Sequence, residues 1–189
     1  FISFSSRMRL RWRRLDVSII MSLLSEKKET SMLQDLRVVQ RDFLLELIRL
    51  MTQELDLDTL LGRLLQLSVD MLSGNSGFIA LSNPSTNWTV RTIYGLTSPM
   101  VKYIETYLEH FPIAEKGEDQ RPIEINLLIE RIRQHPDFNV TDGLGLPLVH
   151  GGTLLGIVVV FRSVLSRFSQ NDMLLLRAYA GQASIAVRN

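Results

Sequence analysis

The sequence predicts an α+β fold in which a central antiparallel β-sheet carries its first and last helices on one face. Two observations lead to this class. Apolar runs are paired around turn-forming residues within residues 77–94 and again within residues 143–162, as expected for two β-hairpins. Amphipathic helical patterns precede the first pair, separate the two pairs and follow the second. Paired short strands with helices before and after favour an antiparallel sheet over alternating parallel units.

The hairpin within residues 143–162 has the clearest turn signal. Two runs rich in Val, Ile and Leu flank His150-Gly151-Gly152, and glycine adopts positive φ angles at little cost. Ser169 follows Phe168 and is predicted to cap a helix, with Asp172 closing a capping box. The apolar face predicted for that helix consists of Leu175, Leu176, Tyr179, Ala180, Ala183, Ala186 and Val187.

Two helices are predicted before the first hairpin. Residues 26–55 contain neither Pro nor Gly and are rich in helix-forming residues. Asp56 or Asp58 caps a second helix over Thr59–Leu72, and Gly74 supplies the left-handed exit from it. The first helix carries two apolar stripes, one of Leu33, Leu36, Phe43, Leu47 and Leu50 and the other of Leu44, Leu45 and Ile48. One stripe would pack on the domain and the other on a partner.

The first hairpin is predicted from the character of its two strands. Gly77–Leu81 is apolar on both sides, which is typical of a central strand. Trp88–Tyr94 alternates between apolar and polar residues, like a strand with one more polar face. Residues 83–87 are dense in turn formers. The two strands are therefore predicted to pair in an antiparallel hairpin.

The segment between the hairpins is predicted to hold two short helices. Pro99 opens the first, which runs to His110, and residues 113–120 form a polar loop. Arg121–Ile125 is predicted to be a short edge strand because Pro122 is tolerated there. Asn126 then caps the second helix, over residues 127–134, which ends at the dipeptide His135-Pro136.

Composition narrows the possible functions. The chain has 189 residues, no cysteine and a formal net charge of +1, so disulfides, thiolate nucleophiles and cysteine-bound zinc are excluded. No apolar run approaches the roughly 20 residues of a membrane-spanning helix, and we expect a cytoplasmic protein.

Residues 1–25 are predicted to be a basic flank, disordered or added to the natural chain, and residues 26–189 the folded domain. Arg7–Arg14 is preferably a solvated flank, although it would also suit phosphates of nucleic acid or an anionic membrane.

Motifs of catalysis are missing from the sequence. There is no GxSxG elbow, no Walker-type loop and no HExxH. His110, His135 and His150 are not spaced with other ligand types for metal capture. We therefore predict a non-enzymatic protein without a metal site.

The C-terminal half resembles the GAF domain family of sensory modules. The resemblance is carried by LGLPLVHGGTLLGIVVVF, by the following RFSQNDMLLLRAYAGQASIAVRN, and by the preceding RPIEINLLIERIRQHPDF. It extends over about residues 43–189. It implies a GAF-like antiparallel sheet with the N- and C-terminal helices packed on one face, and a ligand pocket with short helices on the other.

The resemblance also implies residues for that pocket. Its walls would be the sheet face and the segment between the hairpins, and the ligand-binding candidates are Arg91, Thr92, Tyr94, Tyr103, Tyr107 and His110. The tyrosines would equally suit core packing with an exposed hydroxyl. Some family members bind haem through a histidine, but the helix macrodipole alone favours His110 at a helix end. Cysteines and motifs of the subgroups with known ligands are missing, so the small-molecule ligand and any cofactor stay unknown.

The predicted function follows from the family. We expect a small-molecule-sensing regulatory domain of a signal-transduction protein, of histidine kinase or cyclase type. It would form a homodimer through its terminal helices and pass ligand binding to a downstream output domain. Two alternatives stay open. One is a structural dimerisation spacer without a ligand, and the other is a transcription or membrane-associated regulator that uses the Arg-rich N-terminus.

Overall fold

A computed structural model of the chain describes residue 45 and residues 56–83, 87–111, 121–164 and 166–188. The chain divides into two units, Phe1–Arg49 and Leu50–Asn189, and the fold given below is that of the second. The predicted N-terminal helix, the basic flank and the predicted boundary at residue 25 lie outside the described residues, apart from Leu45, which is helical.

Four helices and four strands make up the described part of the domain, as the α+β prediction requires. The helices are α1 (Leu57–Met71), α2 (Ser98–Leu108), α3 (Arg121–Arg133) and α4 (Gln170–Arg188); the strands are β1 (Ser76–Asn83), β2 (Asn87–Tyr94), β3 (Asp142–His150) and β4 (Thr153–Arg162). The strands form one sheet in the order β2-β1-β4-β3. All neighbouring strands are antiparallel, so the predicted fold class is confirmed.

The second hairpin forms as predicted, with Gly151 and Gly152 at φ angles of 55° and 80° between β3 and β4. Strand β4 lies in the interior of the sheet, between β1 and β3. Its last seven residues are buried, because helices cover both faces of the sheet at this strand.

The sheet separates two groups of helices. Helices α1 and α4 contact each other and pack on one face, while α2 packs against β2 and α3 against β3 on the other. Alternate residues of β4 serve the two layers: Val159 and Phe161 join the α2–α3 side, and Val160 faces α1. Tyr179 of α4 is 2% exposed; burial, with a smaller effect of Asp70, raises the pKa of its hydroxyl, which therefore stays un-ionised.

The ends of α1 confirm one part of its prediction and correct another. Asp56 caps the helix, because its carboxylate accepts a hydrogen bond of 3.0 Å from the backbone N–H of Thr59. The left-handed residue after the helix is Ser73, with a φ of 49°, and not Gly74. Gly74 is needed for a different reason: a Cβ there would lie 2.8 Å from Val160 and 2.9 Å from the carbonyl oxygen of Phe161.

Helix α3 corrects the prediction of an edge strand at Arg121–Ile125. The helix already begins at Arg121, and Asn126 lies inside it instead of capping it. Pro122 is compatible with this start because the first turn of a helix needs no N–H donors. The apolar residues of the whole segment decide in favour of a helix. Those that are buried recur at helical spacing: Ile125, Leu128, Ile129 and Ile132.

Helix α4 begins with the predicted capping box. The backbone N–H of Ser169 donates to Asp172 Oδ2 at 2.7 Å, and the N–H of Asp172 donates to Ser169 Oγ at 3.2 Å. The residue before the cap is also bonded to the sheet, because the N–H of Phe168 donates to Asp142 Oδ2 at 2.8 Å. The start of α4 is therefore fixed by both local and long-range hydrogen bonds.

Arg162 joins the end of β4 to two helices. Its side chain is 8% exposed and lies 3.6 Å from the carboxylate of Asp172. One Nη donates to the carbonyl oxygen of Leu72, directly after α1, and the guanidinium lies 4.1 Å from the ring centroid of Phe168. The charge is thus buried among a carboxylate, a carbonyl and an aromatic face.

Replacing Arg162 with Met is expected to lower the free energy of unfolding by about 2–4 kcal/mol, because the buried Leu72 carbonyl and the Asp172 carboxylate lose their cationic partner. Urea denaturation of the purified chain measures this difference. Arg63→Met is the matched control, since Arg63 is exposed on α1. Equal stability of the two variants would contradict the structural role of Arg162.

The cap of α1 predicts a pH dependence. Hydrogen bonds from the hydroxyl and then the backbone of Thr59 hold the pKa of Asp56 below its ordinary value of 3.8. A lowered carboxyl pKa stabilises the fold above the unfolded pKa and loses that contribution as the pH falls through the folded one. The stability gap between the wild type and Asp56→Ala should therefore close below about pH 3.8.

Chemical denaturation at a series of pH values between 2 and 7 measures this gap. Asp56→Asn is the control, because asparagine caps helices without titrating. A gap that stays constant down to pH 2 would show that the carboxylate charge makes no contribution to the cap.

Candidate ligand-binding groove

A groove with a volume of about 480 Å³ lies between α2 and α3. Its lining combines aromatic and aliphatic surface with hydroxyl, imidazole, carboxylate and guanidinium groups. The lining residues are Tyr103, Thr106, Tyr107, His110, Phe111, Glu124, Leu127 and Arg131. Of these described residues none belongs to a strand, so the two helices and the turn after α2 form the walls.

Helical spacing explains why these residues meet. On α2 and the turn after it, positions 103, 106, 107 and 110 are separated by three or four residues and therefore share one helix face. On α3, positions 124, 127 and 131 share a face in the same way. The groove is the space between these two faces.

Aromatic contacts fix both ends of the α2 wall. The Tyr103 ring lies 4.0 Å from that of His135 and 6.0 Å from that of Phe138, measured between centroids. At the other end, Trp88 packs against Phe111 at 5.8 Å and donates its indole N–H to the Phe111 carbonyl oxygen at 3.2 Å. These contacts hold the tyrosine-bearing face of α2 in a defined position above the sheet.

Beneath the groove, side chains fill the space between the sheet and the two helices. This core is the hydrophobic cluster of Phe78, Ala80, Met100, Ile104, Leu108, Phe111, Ile125, Leu128, Ile129, Ile132, Phe138, Ile157, Val159 and Phe161. We expected the sheet face to form one wall of the site. The groove instead lies on the outer side of this core, because the core covers the sheet.

Comparison with known proteins identifies the fold. The family model described as GAF domain matches residues 54–188. The chain belongs to the GAF domain family. None of the curated proteins compared matches the sequence significantly.

Solved structures agree with this GAF fold. The chain is similar to the GAF domain of an Acinetobacter phosphoenolpyruvate-protein phosphotransferase, with a TM-score of 0.56, 17% identity, and coverage of 79% of this chain and 93% of that one. It is also similar to the corresponding domain from Coxiella burnetii, with a TM-score of 0.51, 17% identity, and coverage of 76% and 92%. At this identity the likeness shows the fold alone. GAF domains are generally regulatory and non-catalytic, and the family membership supports a regulatory sensory domain.

The GAF structure brings three of the six predicted ligand-binding residues together. Tyr103, Tyr107 and His110 all line the groove. The candidates on β2 lie outside the groove. A β-bulge opposite Ile79 and Ala80 shifts the alternation of side chains at the end of β2, so that Thr92 lies on the face that α1 covers. Thr92 there faces Gly62 of α1.

The other two β2 candidates also lie away from the groove. Arg91 is the extra residue of the bulge and forms an exposed ion pair of 2.5 Å with Asp58. Tyr94 is directly opposite Gly77, whose own position faces α1, and opposite residues of an antiparallel pair share a face. The structure therefore does not assemble the six candidates into one site.

Five lining residues were not among the candidates: Thr106, Phe111, Glu124, Leu127 and Arg131. Three of them belong to α3, whose first turn we predicted as a strand. Had the helix been recognised from Arg121, the spacing of three and seven residues from Glu124 to Leu127 and Arg131 would have placed them on one face.

The charges along α3 are used unequally. Arg133 pairs with Glu130 at 2.6 Å and donates to the carbonyl oxygen of Thr141. Arg131 is exposed and forms neither a hydrogen bond nor an ion pair with any residue that the structure describes. No carboxylate of the described residues therefore pairs with this guanidinium.

A second, shallower feature has a volume of about 310 Å³ and lies beside strand β3 and helix α4. It is lined by Pro122, Leu146, Pro147, Val149, Arg177, Ala180, Gly181 and Ser184. Within the described ranges, no three His, Asp or Glu side chains gather closely enough to hold a metal ion. The helices of those ranges include none with the length and hydropathy of a membrane span.

The Arg91–Asp58 pair generates a stability prediction. Both side chains are about half exposed, and exposed ion pairs contribute little because water screens them. Arg91→Ala is expected to change the free energy of unfolding by less than about 1 kcal/mol. Urea denaturation at low and moderate salt measures it. A loss above 2 kcal/mol would mean that Arg91 has a structural role beyond this pair.

Proposed function

We propose that this GAF domain senses a small molecule in the groove between α2 and α3 and regulates a signal-transduction protein of histidine kinase or cyclase type. The observation that carries the proposal is the composition of the groove. Ligand sites are concave and mainly apolar, with a few polar groups that orient the ligand. The groove has this character: rings and Leu127 supply the apolar surface, and His110 and Arg131 supply polar groups.

The connection from the groove to the final helix supports a regulatory role. A ligand would touch α3, and α3 packs on β3. Strand β3 pairs with β4 along nearly its whole length and also contacts α4. A ligand that binds better when α3 occupies one position than another would shift the population of α4 arrangements, whereas equal affinity would shift nothing.

The proposal includes a homodimer formed through the terminal helices, with a downstream output domain responding to their packing. Support comes from the outer side of α4. Leu174 is 55% exposed. Gly181 is exposed as well, and no heavy atom lies within 4 Å of the position that a Cβ would take there. Small residues let a second helix approach closely. We also propose, as predicted from the sequence, that the protein is cytoplasmic.

A ligand-free dimerisation spacer is the second candidate. The filled core between the sheet and the helices α2 and α3 favours it, because a spacer needs only a stable fold. The two candidates differ in a measurable way. A sensory domain is stabilised by its ligand through mass action, and a spacer is not.

Filling the groove tests the proposal. Thermal unfolding with a panel of metabolites is expected to show a rise in the midpoint for at least one compound. Thr106→Trp should abolish that rise, since Thr106 is exposed and lines the groove. Lys102→Trp is the matched control: Lys102 is exposed on the same helix but does not line the groove.

Three outcomes are distinguishable. A midpoint rise that Thr106→Trp removes and Lys102→Trp retains supports sensing through the groove. A rise that both variants retain would place the ligand elsewhere. No rise across the panel, with sedimentation equilibrium showing a dimer, would favour the spacer.

A further inference from the structure

We infer that the groove selects one class of ligand, a monocarboxylate with a flat apolar body about 10 Å long. The inference rests on the proposed function, because it names the chemistry of the ligand for the same site. It is carried by the order of charged and aromatic groups along the groove.

The groove has two chemically different ends. Tyr103 contacts His135, just beyond the end of α3, so the Tyr103 end of the groove is also the Arg131 end. His110 and Phe111 lie at the opposite end of the α2 wall, and Glu124 lies in the first turn of α3, at the opposite end of the α3 wall from Arg131. A cation therefore marks one end and a carboxylate the other.

The separation of these ends sets the ligand length. Glu124 and Arg131 are seven positions apart on α3, which corresponds to about 10 Å along the helix axis. A body of one or two fused rings with a short side chain matches this distance. A longer rigid ligand would extend past one end into solvent.

Arg131 supplies the anion-binding group. A guanidinium presents parallel N–H donors that match both oxygens of a carboxylate. Arg131 has no partner among the described residues, whereas the neighbouring Arg133 is occupied by Glu130 and Thr141. Among the residues that the structure describes, therefore, no ion pair of Arg131 would have to break for a carboxylate to bind.

The same end disfavours a doubly charged group such as a phosphate. Arg131 lies in the last turn of α3, where the helix dipole presents its negative end. One guanidinium balances one negative charge there, and a second charge would meet the carbonyl groups of the helix end.

Between the ends, the groove suits a ring. Tyr107 and Phe111 form one wall and Leu127, which is 55% exposed, forms the other. Aromatic rings stack or meet edge-to-face with a flat ligand at little entropic cost. Covering Leu127 would also remove exposed apolar surface from water.

Titration with matched probes tests the inference. The full chain is titrated with indole-3-acetate, 3-phenylpropanoate and their primary amides, and binding is followed by NMR and calorimetry. The acids should bind at least tenfold more tightly than the amides, because only the acids pair with Arg131. Arg131→Gln should remove this preference and leave the weak amide binding unchanged, whereas Arg63→Gln, on an exposed site of α1, should change neither.

The results separate the ligand class from the proposed function. Equal binding of acids and amides, or acid binding unaffected by Arg131→Gln, overturns the ligand class. If the acids do not bind but other metabolites give a midpoint rise that Thr106→Trp removes, the ligand class is wrong and sensing through the groove survives. If no compound binds the folded wild-type chain, both fail. Circular dichroism of Arg131→Gln confirms that any loss is not a loss of fold.

Discussion

The buried guanidinium of Arg162 is the interaction on which the arrangement of the domain depends. Arg162 is the last residue of β4. Its side chain reaches the end of α1 through the Leu72 carbonyl and the start of α4 through the Asp172 carboxylate. A buried charge is costly unless it is paired, so the three elements must keep their relative positions for the pairing to persist. The capping box at Ser169 and the bond from Phe168 to Asp142 act on the same junction. The helix nearest the chain's end is therefore joined to the sheet by polar groups as well as by its apolar face.

The strand that ends at this junction, β4, contributes side chains to the layers on both faces of the sheet. Strand β4 contributes Val159 and Phe161 to the layer of α2 and α3, and Val160 and Arg162 to the layer of α1 and α4. A displacement of β4 would change the side-chain packing on both faces of the sheet, because close-packed cores transmit strain. Strand β3 likewise contacts both layers, since α3 covers one of its faces and α4 the other. Under the proposed function, coupling between the groove and α4 would pass through β3 and β4, because these two strands contact both layers.

The parts of the fold that sequence could predict are those fixed by local chemistry. The glycine turn after His150 and the cap at Ser169 are each decided within four residues, and both form as expected. The start of α3 was missed because Pro122 suits an edge strand and a first helical turn equally. Only three of the six predicted ligand-binding residues line the groove, and the reason lies in how β2 pairs with β1. A single extra residue at Arg91 reverses the faces of the rest of β2, so Thr92 and Tyr94 turn away from the layer that Trp88 and Val90 join.

The position of the groove follows from the filled core. Large side chains, among them Phe78, Phe138 and Phe161, occupy the volume between the sheet and the helices, and native interiors leave few voids larger than water. The polar groups of α2 and α3 that line the groove therefore lie on the outer side of this core. Arg131 can keep its charge there without the desolvation cost that Arg162 offsets by multiple partners. An outer groove of this kind suits the proposed function in one respect: a ligand could enter and leave it without opening the core, and its binding would act on the position of α3.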